Sequence, residues 1–291
     1  MKLLRITAEG LPLFKEKLDL SFYAQQRVAE EQKNILYPLF SNIYMNSATG
    51  FIGINASGKT SVLKVILLAL EILNNEPINH IESRDILGDS RRIKLNMFFY
   101  SREMEEICKL ETIIIAQKNK SEGIRYSISS ESLWTKSIDE VITRKAMLNF
   151  DGKEPVMIRS SQEDFLSDDV SIMIARNKKN KEHMRIVNLL KYTNENVLPL
   201  SKDIPVEVIT FLDPTIEKLH FDENDNKTLI HLQFRGKEEI ILNNPIELNN
   251  YLSSGTVKGM IIFTLAQEVL QSGGYIVVDE VENHFNKEIV T

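Results

Sequence analysis

Apolar and polar residues alternate through Ile93-Lys94-Leu95-Asn96-Met97 and again through Ile124-Arg125-Tyr126-Ser127-Ile128. This period of two predicts half-buried strands. Glu111-Thr112-Ile113-Ile114-Ile115 lies between them, and Asn119–Gly123 reads as a turn. Together they predict an antiparallel meander over 91–154. Nearer the start, Leu3–Thr7 and Leu18–Phe22 read as strands around the turn-like Glu9-Gly10-Leu11-Pro12. Ala24–Asn34 is polar and fits a loop or a short helix.

The pattern then changes. A strand is expected over Ala48–Ile52 and a helix from Gly58 to Leu73, ended by Asn74-Asn75-Glu76-Pro77, because the residue before a proline resists the α region. Residues 155–203 are strongly charged and are expected to be helical. Thr228–Phe234 and Glu239–Leu242 flank Arg235-Gly236-Lys237, a hairpin signal. A helix is expected over Met260–Leu270. Tyr275-Ile276-Val277-Val278 is a short continuous apolar run, the pattern of a strand buried on both faces of a central sheet.

Chemistry enters between the expected strand and helix. Gly53-Ile54-Asn55-Ala56-Ser57-Gly58-Lys59-Thr60 has the form G-x-x-x-x-G-K-[ST], a phosphate-binding P-loop. A chance match in a chain of 291 residues is on the order of 1%. Gly53 and Gly58 let backbone close around an anion, and N–H groups of Asn55, Ala56, Ser57 and Gly58 converge on phosphates. The helix start adds its positive end. Lys59 supplies charge to the β- and γ-phosphates, Thr60 a ligand for Mg2+, and Ser61 a hydroxyl near the α-phosphate. At the end of the late apolar run, Asp279 is a candidate Mg2+ ligand and Glu280 a candidate general base for the attacking water. Between these halves, Leu252-Ser253-Ser254-Gly255-Thr256 precedes a helix. It reads either as an ordinary serine cap or as a second anion site built from Ser253, Gly255 and Thr256.

Charge and composition limit the alternatives. The net charge is −6, with 43% hydrophobic and 26% charged residues, which is ordinary for a globular protein and argues against a broad cationic coat. The basic run Arg176-Asn177-Lys178-Lys179-Asn180-Lys181 reads as a solvated face, or else as a contact to a nucleic-acid backbone. The single cysteine, Cys108, excludes a disulfide within the chain and fits a reducing cytoplasm as a structural thiol. The apolar stretch Val62–Leu73 is broken by Lys64 and Glu71 and is too short to span a bilayer, and the N-terminus has no signal-peptide core.

The order P-loop, long insertion, L-S-x-G-T, helix and D-E-x-E-N resembles the ABC-class ATPase heads, among them RecF, the SMC proteins and the OLD-type nucleases. It is most similar to stand-alone AAA-labelled ATPases of bacterial anti-phage and abortive-infection systems. The residues that carry this are Gly53–Thr60, Leu252–Thr256 and Asp279-Glu280-Val281-Glu282-Asn283. The resemblance implies an α/β P-loop NTPase: an ABC-like head with a mixed central sheet, an antiparallel β subdomain and an inserted helical segment. Its parts would be 1–90, 91–154, 155–203 and 204–291. It also implies ATP with Mg2+ and a homodimer or higher oligomer. Ser253, Gly255 and Thr256 of one chain would face the nucleotide held by Lys59 and Thr60 of the other. An effector partner such as a nuclease is expected; the runner-up is a DNA repair or DNA-maintenance ATPase. Two features depart from the pattern. No Gln lies between Ser61 and Ala116 to form a glutamine loop, and Asp85 is not taken as its replacement. His284 stands too close to Asp279 to be the switch histidine, so a further strand is expected beyond Thr291.

Overall fold

The structure, a computed structural model, describes residues 1–119, 123–159, 166–191, 194–198, 200, 204–224 and 227–280. The chain divides into two compact units, Met1–Met184 and Arg185–Thr291. Segments 1–90 and 91–154 of the sequence reading fall in the first, 204–291 in the second, and 155–203 is shared.

The first unit is built on β1 (Lys2–Glu9), β2 (Leu18–Ser21), β3 (Leu36–Phe40), β4 (Ile43–Asn46), α1 (Lys59–Leu73), β5 (Ile93–Ser101), β6 (Glu106–Asn119), β7 (Gly123–Ser137), α2 (Arg144–Met147), β8 (Met157–Ile158) and α3 (Met173–Asn180). Six strands form an antiparallel sheet in the order β2-β1-β5-β6-β7-β8. The predicted meander is its centre, with Asn96 opposite Glu111 and Leu110 opposite Leu133. The first two predicted strands join the same sheet, because β1 lies between β2 and β5. β3 and β4 form a separate hairpin.

α1 is buried along Val65–Leu70, Ile72 and Leu73. A helix apolar on nearly every side is a core helix, and its polar ends must find partners. Asn74 supplies one end. Its side chain donates to the Met184 carbonyl at 2.6 Å and accepts the Met184 N–H at 2.8 Å. Asn177 donates to the Leu73 carbonyl at 2.7 Å. Cys108 is fully buried, and burial pushes its thiol up to about 12, so it acts as a core residue.

The second unit contains β9 (Ile186–Leu189), α4 (Val206–Leu212), β10 (Ile216–Asn224), β11 (Lys227–Phe234), β12 (Ile240–Leu242), α5 (Ser254–Ser272) and β13 (Tyr275–Val278). β10, β11 and β12 form an antiparallel sheet. Leu219, Phe221, Ile230 and Leu232 from it pack with Ile209 of α4 and with Val257, Met260 and Ile261 of α5. β9 and β13 pair in parallel, Tyr275 with Ile186 through Val278 with Leu189.

Three expectations are corrected. Residues 48–52 form no strand; β4 ends at Asn46, and Ile52 is fully exposed. The apolar pair Phe51-Ile52 after Gly50 has the composition of a strand, but no described segment pairs with it. Residues 155–203 are not a helical insertion, since α3 is their only α-helix among the described residues. Partners elsewhere claim the backbone. Buried Glu131 accepts the Ile172 N–H at 2.7 Å, and Asp168 accepts the Ile128 N–H through its carbonyl. Residues 186–189 are taken by β13. Third, the mixed central sheet resolves among the described residues into an antiparallel sheet in one unit and a parallel pair in the other. Of the four residues of β13 only Val277 is buried, and of β9 only Leu189, whereas burial on both faces was expected of β13.

Candidate functional site

The loop 53–60 leads directly into α1. Gly58 caps the helix at φ 91°, a left-handed conformation that glycine adopts without a Cβ clash. Ala56 is also left-handed, at φ 61°. Ser57 N–H donates to the Ile54 carbonyl at 3.1 Å, closing a tight turn. Lys59 Nζ donates to the Gly53 carbonyl at 2.8 Å, so the lysine arches back across the loop's mouth. At Gly53 a Cβ would stand 2.5 Å from Ser57 Oγ. Gly53, Ile54, Asn55, Ala56, Ser57 and Thr60 are exposed, while Gly58, Lys59 and Ser61 are half-buried. Left-handed residues interspersed in a tight turn direct backbone N–H groups into one concavity, which suits an anion. The residues present therefore fit a polyphosphate.

Behind the loop, Lys64 of α1 is ion-paired with Asp85. Glu71, two turns further along, is half-buried. Burial pushes its carboxyl up to about 7, opposed by the Ser83 hydroxyl at 3.5 Å and reinforced by Glu76 and Glu82.

In the second unit, Ser253 is the N-cap of α5. Its Oγ accepts the Thr256 N–H at 3.0 Å and lies 2.8 Å from Thr256 Oγ1. Thr256 is buried at 5% exposure, Gly255 is half-buried, and Ser253 and Ser254 are exposed. The helix thus starts six residues before the expected Met260. Thr256 holds the serine; Ser253 is the member of the motif that faces outward. Lys258, which the motif reading passes over, is buried at 3% exposure one turn into α5. Its place among Val257, Gly259 and Met260 was the available signal.

Asp279 and Glu280 follow β13. Glu280 adopts φ 53° and its N–H donates to Asp279 Oδ1 at 3.0 Å. Asp279 is half-buried and Glu280 exposed. The rest of the D-E-x-E-N tail, Val281, Glu282 and Asn283, and also His284, lie outside the described residues. The structure brings Gly53–Thr60 together as one loop and places Ser253, Gly255, Thr256, Asp279 and Glu280 in the other unit. Among the described residues, no group of three His, Cys, Asp or Glu side chains is arranged to hold a metal.

No family model matches the chain. No curated protein matches it. Among solved structures it is similar to an SMC head domain from Thermotoga maritima, at 12% identity and a TM-score of 0.41, over 99% of this chain and 81% of that one. No helix among the described residues is long and apolar enough to cross a membrane.

Proposed function

We propose that this chain is an ATP-binding and ATP-hydrolysing head of the ABC type. The observation that carries the reading is the loop itself: two left-handed residues, a Gly53 where a Cβ would press on the Ser57 hydroxyl, and Lys59 folded over the mouth at 2.8 Å from the Gly53 carbonyl. On this reading the N–H groups of Asn55–Gly58 and the ammonium of Lys59 bind the phosphates, and Ser61 adds a hydroxyl. Thr60 and Asp279 would hold Mg2+, which supplies charge neutralisation at the phosphate oxygens. Glu280 takes the proton of the attacking water.

Ser253 and Gly255 cap the nucleotide of a second copy, with Thr256 fixing the serine. A two-fold dimer then shares two sites, and nucleotide acts as a switch. On this proposal the switch serves anti-phage defence, governing an effector such as a nuclease; the resemblance of its motif order to defence ATPases supports that role. A DNA-maintenance role draws on one observation: Lys178 and Lys179 are exposed on α3, with Lys181 just beyond. Salt-sensitive DNA binding that is lost when these lysines are replaced would favour it.

The direct test is the solution mass of Glu280→Gln with and without Mg-ATP, by light scattering. A dimer that forms only with Mg-ATP is expected. A mass unchanged by nucleotide overturns the shared-site reading.

A further inference from the structure

The first unit has a surface cavity of about 430 Å³ between β1–β2 and α2, lined by Arg5, Asp19, Ser21, Tyr23, Gln25, Arg144 and Lys145. None of these residues belongs to the loop 53–60. We propose that this cavity binds a phosphate-bearing small molecule at a site separate from the P-loop.

The charge balance of the lining points to an anion. Arg5 and Asp19 stand on neighbouring strands, with Arg5 opposite Ser21 and Thr7 opposite Asp19. Arg5 donates through Nε to Asp19 Oδ1 at 2.7 Å and through Nη2 to Oδ2. That carboxylate is the only acid in the lining, and Arg5 cancels its charge. A guanidinium has five N–H donors, so three of those on Arg5 remain for a ligand. Across the cavity, Arg144 Nη2 donates to the Asn42 carbonyl at 3.1 Å, which holds its head in place. No described carboxylate forms an ion pair with Arg144 or Lys145. Two cations are therefore left uncompensated in a chain whose net charge is −6, so they are a local feature and not part of a general positive surface.

Shape adds to charge. Tyr23 packs on the apolar cluster of Leu4, Ile43, Tyr100 and Met147, which fixes its ring beside the cations. Ser21 and Gln25 bring further hydrogen-bonding groups. Arg forks match phosphate oxygens in two-point contact, and a planar ring gives an organic moiety a surface to lie on. The volume falls within the roughly 300–1,000 Å³ range of small-molecule sites and exceeds what a bare phosphate needs.

The test uses the full chain carrying Lys59→Ala, to weaken the P-loop, titrated with pyrophosphate by calorimetry. Binding that persists in this background, and weakens about tenfold or more on adding Arg144→Gln and Lys145→Gln, is expected. An unchanged melting temperature without ligand shows that the added substitutions leave the fold intact. If it falls, the single exposed-site variant Lys145→Glu replaces them and is expected to weaken binding likewise. Absence of binding in Lys59→Ala, or binding indifferent to the replacements at 144 and 145, overturns the proposal. A short oligothymidine that binds more tightly than pyrophosphate and is not displaced by it also overturns it, by assigning the surface to a nucleic-acid backbone.

Discussion

Lys59 Nζ donates to the carbonyl oxygen of Gly53 at 2.8 Å, closing the loop on itself across the opening where phosphates would enter. The ammonium's partner here is a neutral carbonyl. A phosphate oxygen offers a stronger, charge-assisted bond, so nucleotide should displace the carbonyl. Lys59→Ala is expected to weaken Mg-ATP binding roughly 10–100-fold, in line with the value of one charged hydrogen bond. Titration with a fluorescent ATP analogue reads this. Affinity equal to the parent's would remove Lys59 from the site.

The glycines of the region should behave differently from one another. A Cβ on Gly53 would meet Ser57 Oγ at 2.5 Å, whereas one on Gly50 meets nothing within 4 Å. Gly53→Ala is therefore expected to reduce nucleotide affinity, and Gly50→Ala to leave it unchanged. Gly58→Ala should cost about 1–2 kcal/mol of stability, because φ 91° is strained for an L side chain. Equal affinities for the 53 and 50 variants would contradict the cradle.

Ser253 has a capping role that is separable from its proposed role opposite a partner's nucleotide. Ser253→Ala should lose about 1 kcal/mol of stability through the missing bond to the Thr256 N–H. Ser253→Asp keeps a cap acceptor but sets a carboxylate against phosphate. It should melt like the parent yet fail to dimerise with Mg-ATP. Nucleotide-dependent dimers of Ser253→Asp would leave the serine with its cap alone.

Glu280→Gln is expected to lower phosphate release by roughly 10²–10⁴-fold while ATP still binds, the usual contribution of a general base. Undiminished release would take Glu280 out of that role.

Glu71 carries a pH dependence. Burial raises its folded carboxyl from 4.5 to about 7, so between those values the folded chain holds a proton that the unfolded chain has lost. Stability from this group therefore falls as pH rises through that window. Glu71→Gln removes the effect. It should raise the melting point at pH 8, by a stability gain of about 1 kcal/mol after solvent screening, and leave it unchanged near pH 4. A gain of the same size at both pH values would point to packing instead.

Local chemistry was the legible part. The alternation over 93–97 and 124–128 became β5 and β7, and Gly58 at the end of the loop became the cap of α1. Ser253 before an apolar run became a helix cap, although the helix began earlier than its apolar core. The failures were non-local. The charged stretch 155–203 gave no sign that Glu131, forty residues away on β7, would take the Ser171 hydroxyl and the Ile172 N–H. The pairing of β9 with the strand before Asp279 also joins segments far apart in sequence.

The sequence alone determined the loop that carries the proposed phosphate chemistry, because a P-loop is built from its own backbone turn and one lysine within eight consecutive residues. It also determined the meander and the hairpin at 228–242, whose partners are neighbours in the chain. Tertiary structure decided which strands stand side by side, that Thr256 and Lys258 are buried, and that Arg5, Arg144 and Lys145 line one cavity. Those outcomes depend on contacts between residues distant in sequence, and residue spacing along a chain carries no record of them.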